Sequence, residues 1–147
     1  MPKLSAITKT DAPAATLIIR LMVGAVFVSE GIQKFLNPAD VGAGRFAKIG
    51  LPSPDVLAPF VGCVEIVCGS LVLFGILTRL ATLPLLIVMA TAIITTKVPI
   101  LQQSGFWKMA HEGRTDFSMT MGLIFLLMVG AGTISWDARR SARASGG

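Results

Sequence analysis

Apolar residues along this chain are grouped in long blocks that are separated by short polar stretches. Four of these blocks predict membrane-spanning helices, at about residues 14–36, 55–77, 80–96 and 117–134. A helix rises about 1.5 Å per residue, so some 20 apolar residues cross a hydrocarbon core about 30 Å thick. Because some connections are short, neighbouring helices are antiparallel. We therefore predict an all-α fold, an integral membrane four-helix bundle.

The polar stretches predict the remaining organisation of the chain. A short helix over 40–49 is expected to lie at the membrane interface between spans one and two, with Phe46 and Ile49 on its apolar face. A tight turn joins spans two and three at 75–79, and a second sizeable loop covers 97–116. Residues 1–13 predict a flexible N-terminal tail, and residues 138–147 predict a basic C-terminal tail.

Composition supports a membrane protein and argues against nucleic-acid binding. The chain is 53% hydrophobic and only 14% charged, whereas soluble domains carry about 25% charged residues. Its net charge of +5 comes from bases scattered between apolar blocks and from an Arg cluster at the C-terminus, without a basic stripe. The positive-inside rule gives an even count of bases on the two sides. The C-terminal Arg cluster favours both termini in the cytoplasm.

Ionisable residues inside the spans are the candidates for function, because each costs about 2.5–3.5 kcal/mol on insertion scales. They predict a polar intramembrane site between spans one and two, formed by Arg20, Glu30, Lys34 and Glu65. Glu30 precedes Lys34 by four residues, which is the favourable order for an ion pair on a helix.

Glycines mark the faces on which spans one and two are expected to pack. Gly24 and Gly31 share a face of span one with Arg20, Phe27 and Lys34, and Gly62 and Gly69 flank Glu65 on span two. Glu65 has two alternatives: it is ionised and paired with a base such as Arg20 or Arg79, or it is protonated. Either state requires a hydrogen-bond partner. The polar contact of Glu65 is then a structural clasp, part of a proton relay or an anchor for a small ligand.

Other candidate residues carry weaker signals. Arg79, His111 and Asp116 are expected to contribute from the loop side of the site. A single histidine, without a Cys and His cluster, argues against a metal site. Cys63 and Cys68 are five residues apart, so they point about 140° apart on a helix and are not expected to form a disulfide.

At the level of motifs, the chain resembles the DoxX family of small bacterial four-span membrane proteins. The resemblance covers residues 17–138 and is carried by Arg20-Leu21-Met22-Val23-Gly24, Gly50-Leu51-Pro52, Val64-Glu65 and the run Phe74–Ala81, followed by Gly130-Ala131-Gly132 with Ser135 and Asp137. The family commonly has Gly-Gly-x-Glu before span four. Here Glu112-Gly113-Arg114-Thr115-Asp116 departs from that pattern, and Asp116 takes the place of the acid.

The resemblance implies a bacterial inner (plasma) membrane protein with a role in membrane redox chemistry. Some DoxX-like proteins resemble a subunit of a thiosulfate:quinone oxidoreductase, and others are linked to thiol and oxidative-stress defence. We therefore expect a small subunit of a quinone- or thiol-linked redox system, with a quinone as ligand, redox proteins or further copies of the chain as partners, and no intrinsic cofactor motif. The alternatives are a non-enzymatic membrane scaffold and a small proton-coupled transporter.

Overall fold

A computed structural model describes residues 10 and 12–145, and for residues 143–145 it describes the backbone alone. The described residues contain no β-strand. Their elements are α1 (Thr16–Leu36), α2 (Ala43–Lys48), α3 (Pro54–Phe74), α4 (Thr78–Ala92), a π-helical segment (Ile93–Lys97), α5 (Val98–Ser104), α6 (Phe106–Glu112), α7 (Arg114–Val129) and α8 (Trp136–Ser145).

Four long helices pack in a ring. Helix α1 lies along α3, α3 contacts α4, α4 contacts α7, and α7 contacts α1. The side chains between them form one apolar core, which comprises Val23, Phe27, Val72, Ala81, Leu85, Met89, Met119, Leu123 and Leu126. The predicted all-α membrane fold is confirmed.

Three helical runs are long and apolar enough to cross a bilayer, namely Thr16–Leu36, Pro54–Phe74 and Thr78–Ser104. Helix α7 has 16 residues, which corresponds to about 24 Å and is less than the usual hydrocarbon thickness of about 30 Å. It ends at Gly130, which has φ +86°, so the run does not continue to residue 134 as predicted. That α7 also spans the membrane stays a prediction.

The region from 97 to 116 differs from the predicted loop. Helix α4 continues through the π-helical segment into α5, and Gly105 separates α5 from α6. The expected helix end at residue 96 does not occur, and Pro99 lies in the first turn of α5, a position that tolerates proline. The sequence signal for a loop was therefore misread.

The two ends of the chain also have defined structure where they are described. Residues 138–145 of the predicted basic tail belong to α8. Most of the predicted N-terminal tail lies outside the described residues, but Thr10 accepts a hydrogen bond at its hydroxyl from the Gly132 N–H over 2.8 Å. Ala12 is buried, so the segment just before α1 packs onto the bundle.

Helix α2 is shorter than predicted, since it begins at Ala43 rather than near Asp40. It packs against α3, and Phe46 is buried, so its apolar face points into the protein as the pattern indicated. Its position at the membrane interface stays a prediction.

The close approach of α1 and α3 depends on glycine. A methyl group placed on Gly31 would lie 2.7 Å from the carbonyl oxygen of Gly62 and 2.7 Å from Cγ1 of Ile66. Because backbone cannot move aside cheaply, we expect Gly31→Ala to cost about 1–3 kcal/mol of stability. Thermal unfolding in detergent measures this cost. Ala25→Val, an enlargement at an exposed position of the same helix, should leave the melting temperature unchanged, and equal melting of the two variants would contradict the packing argument.

Candidate functional site

A cavity of about 770 Å³ lies between α1, α3, α4 with the π-helical segment, and the first turns of α7. Its volume is within the range of about 300–1,000 Å³ that is typical of small-molecule sites. Most of its lining is apolar, and side chains of α2 and the following loop line its end. The charged residues of the lining are Glu30, Lys34, Arg45, Glu65, Lys97 and Asp116.

An ion pair joins α1 to α3 inside this cavity. Nζ of Lys34, in the last turn of α1, lies 2.6 Å from Oε2 of Glu65, and the two side chains are only 9% and 5% exposed. Glu65 shares a face of α3 with the packing glycines Gly62 and Gly69, which brings it against α1. The pair stands at the predicted interface.

The partners in this pair differ from those expected. Glu65 is paired with Lys34, so the expectation that Arg20 or Arg79 is its partner is wrong. Glu30 does not form the predicted carboxylate pair with Lys34; Nζ of Lys34 lies 3.5 Å from the backbone carbonyl oxygen of Glu30. The Glu30 residue is exposed and lines the rim of the cavity.

A second ion pair in the same cavity was missed. Nζ of Lys97 lies 3.2 Å from Oδ2 of Asp116, and their side chains are 13% and 20% exposed. Lys97 is the last residue of the π-helical segment, and such segments are frequent at functional sites. The only sequence signal was the polar run Thr95-Thr96-Lys97 at the end of an apolar block, which reads equally well as a helix end.

Arg20 does not belong to the cavity. It lies 14 residues before Lys34 on α1, about 21 Å along the helix axis. Its buried guanidinium donates from Nε to the carbonyl of Val72 over 2.9 Å and from Nη2 to the carbonyl of Leu73. Nη1 donates to the carbonyls of Ala131, over 3.1 Å, and Ile134. Arg20 thus joins the end of α3 to the 130–135 segment.

Asp137 completes this second polar centre, which we call the Arg20 cluster: Arg20, Asp137 and the carbonyls of Val72, Leu73, Ala131 and Ile134. The buried Asp137 carboxylate accepts hydrogen bonds from the backbone N–H groups of Leu77, over 2.8 Å, and Thr78, over 3.0 Å. It therefore satisfies donors at the start of α4 that have no helical partner. The cluster is architectural, since its polar groups are occupied by backbone.

The loop-side candidates separate into two groups. Asp116 lines the cavity, but Arg79 donates from Nη2 to the Met128 carbonyl over 3.0 Å and does not line it. His111 is exposed beside Arg114, whose Nη1 lies 2.8 Å from its Nε2. Within the described part of the chain, no group of three or more His, Cys, Asp or Glu residues is arranged to hold a metal ion.

The cavity can bind a neutral head group through both members of its first ion pair. A lysine ammonium has three N–H donors. Glu65 accepts from one and the Glu30 carbonyl oxygen, at 3.5 Å, from a second, which leaves one donor for an oxygen of a ligand. Among the described residues, none donates a hydrogen bond to the second carboxylate oxygen of Glu65, which can therefore accept one from a hydroxyl group. This combination of a donor and an acceptor within an apolar trough suits a cyclic conjugated carbonyl compound and its hydroxyl form.

Comparisons with known proteins agree with the motif resemblance. The DoxX family model matches residues 15–98. The chain is 53% identical over 141 residues to "Uncharacterized membrane protein Rv3486" of Mycobacterium tuberculosis, which covers 92% of this chain and 86% of that protein. It is 28% identical over 124 residues to "Putative oxidoreductase CatD" of Bacillus subtilis, which covers 83% and 84% respectively. No solved structure matches.

Proposed function

This chain belongs to the DoxX family of membrane proteins, and from that premise we propose that it is a small module of a membrane redox system whose cavity binds a quinone. The observation that carries the proposal is the buried Lys34–Glu65 pair in a cavity of about 770 Å³. Similarity to a protein named an oxidoreductase supports the same class of function.

The chemistry of a quinone fits the groups in the cavity. Reduction of a quinone to its quinol takes up two electrons and two protons, so charge develops on oxygen. Lys34 would donate to a carbonyl oxygen as this charge develops, and Glu65 would accept from the quinol hydroxyl or return a proton to the oxygen. The electrons would come from a redox partner protein, which makes this chain a subunit or accessory module.

A binding measurement tests the proposal. The purified protein in nanodiscs is titrated with 2,3-dimethoxy-5-methylbenzoquinone, and saturable binding is expected. Glu65→Gln removes a charged hydrogen-bonding group from the site, so its Kd should rise about tenfold or more. Asp55→Asn makes the same chemical change at an exposed position outside the cavity and should leave Kd unaltered. If the native protein shows no saturable binding of this quinone or of its form with a decyl tail, the proposal is overturned.

A membrane scaffold is the second candidate function, and the Arg20 cluster favours it. Arg20, one of the four charged residues of the predicted site, has a structural role in this cluster. A charged residue within the membrane part of this fold therefore does not by itself imply chemistry. If Lys34 and Glu65 form a similar clasp, Glu65→Gln lowers the melting temperature and the native protein binds no quinone. Because the redox module also predicts a loss of stability when this pair is broken, quinone binding by the native protein is the result that separates the two functions.

We propose that the protein lies in the bacterial plasma membrane with both termini in the cytoplasm. The exposed Arg139 and Arg140 on α8 support this orientation through the positive-inside rule. A C-terminal fluorescent-protein fusion is expected to fluoresce, and a C-terminal alkaline phosphatase fusion is expected to be inactive. The reverse pattern would place α8 outside the cytoplasm.

A further inference from the structure

The cavity has a polar end, which is partly covered, and an apolar side, which is open. Side chains of α2 and the segment after it, among them Phe46, Ile49 and Leu51, line the end of the cavity beyond the last turn of α1. Phe46 is buried there. Glu30 and Arg45 line the same end and are exposed, so this end is covered only in part and its opening is polar.

The open side lies between α3 and α4, away from the turn that joins them. Phe60 on α3 and Ile87 on α4 both line the cavity, yet they are 62% and 68% exposed. A side chain that lines a cavity and is also mostly exposed stands at its opening. Thr91, one turn beyond Ile87, is a further exposed lining residue.

The position of this opening places it in the hydrocarbon region. Phe60 lies within the predicted span Pro54–Phe74, and Ile87 within Thr78–Ser104. The exposed side chains at the opening are apolar or uncharged, so the opening faces lipid tails. We call this gap, bordered by Phe60, Ile87 and Thr91, the lipid portal.

The charges in the cavity indicate which ligand passes through the portal. Its lining has three bases, Lys34, Arg45 and Lys97, and three acids, Glu30, Glu65 and Asp116. Four of these six residues neutralise one another in two ion pairs. A cavity whose formal charges cancel offers no net attraction to an ion, and a charged head group would pay its full desolvation cost on entry.

We propose that the ligand is a neutral head group on a long apolar tail, taken laterally from the bilayer, with the head beside Lys34 and Glu65 and the tail in the lipid portal. This inference rests on the proposed quinone site and specifies the class of quinone. In this arrangement the tail stays in contact with lipid through the portal. The head group moves from the hydrocarbon region to the polar end of the cavity.

Two probes with one head group test the inference in nanodiscs, namely 2,3-dimethoxy-5-methylbenzoquinone with and without a decyl tail. Ile87→Trp fills the portal, so Kd for the tailed probe should rise severalfold while Kd for the tail-less probe stays unchanged. Leu83→Trp is the matched control, because Leu83 is exposed one turn earlier on α4 and does not line the cavity. It should alter neither Kd.

A second pair of variants keeps the test independent of one substitution. Thr91→Trp should act as Ile87→Trp does, and Ile94→Trp, which is exposed but outside the lining, should not. If all variants keep the native ratio of the two Kd values, or if the portal variants raise both Kd values equally, the inference of a lipid portal is wrong while the quinone site stands. If the native protein binds neither probe, the proposed function itself fails.

Discussion

Arg20→Met is expected to cause the largest loss of stability of any single substitution in this protein. The guanidinium donates to four backbone carbonyls, those of Val72, Leu73, Ala131 and Ile134. Hydrogen bonds to charged groups contribute about 1.5–3 kcal/mol each, so their combined loss should cost at least about 4 kcal/mol. The end of α3 would also lose its connection to the segment before α8.

Thermal unfolding in detergent and the yield of monodisperse protein measure this effect. Arg140→Met removes the same side chain from an exposed position and should change neither quantity. Arg20→Lys keeps the charge but loses the planar fork that reaches several carbonyls, so it should recover only part of the stability. Normal melting of Arg20→Met would show that the cluster does not hold the fold.

Gly75 lies next to the guanidinium of Arg20, and this contact explains why the residue is a glycine. This residue has φ +67°, and a methyl group there would lie 2.7 Å from Cζ of Arg20. A side chain at this position is therefore excluded both by the backbone conformation and by the buried guanidinium. The turn between α3 and α4 and the charge beneath it form one structural unit.

Substitutions in the Lys34–Glu65 pair are expected to change protein stability and ligand binding in different ways. Removing one member leaves the other charge buried without its partner, so Lys34→Met and Glu65→Leu should each cost about 3 kcal/mol. The double variant replaces the pair by apolar side chains and should recover most of that stability, because a buried ion pair repays little beyond its own desolvation. Binding of a quinone should nevertheless be abolished, since the double variant removes both the donor and the acceptor that are proposed to hold the head group.

A double-mutant cycle with thermal unfolding and quinone titration measures both effects. Lys48→Met with Asp55→Leu is the matched control, because it makes the same changes at two exposed residues outside the cavity. That control should keep native binding. If the Lys34 and Glu65 double variant binds quinone as the native protein does, the pair is a clasp and not a site.

The sequence was sufficient to predict the helices because apolar length is a direct physical requirement of the bilayer. The ends of α1 and α3 were predicted within a few residues, since Asn37-Pro38 and Gly75 are strong helix-stop signals. Ser53 and Pro54 likewise marked the start of α3. The region 97–116 was misread because Pro99 is compatible both with a loop and with the first turn of a helix.

The candidate site could be predicted only in part. Periodicity placed Glu65 on the glycine face of α3. It could not show which base of α1 pairs with Glu65, because the pairing depends on the shift of the two helices along their axes. Arg20 and Lys34 lie on one stripe of α1, and the register with α3 directs one to backbone and the other to carboxylate. Lys97 and Asp116 are joined through the π-helical segment, which leaves no simple periodic signal.

The most direct test of the central claim is photoaffinity labelling with an azido-quinone in nanodiscs, followed by peptide mapping. The account predicts labels within the cavity lining of 57–65 and 87–97, and loss of those labels when excess unlabelled quinone is present. Labels confined to exposed residues that lie outside the lining, such as Val67 and Met128, would contradict it. Cavity labels that excess quinone does not displace would contradict it as well.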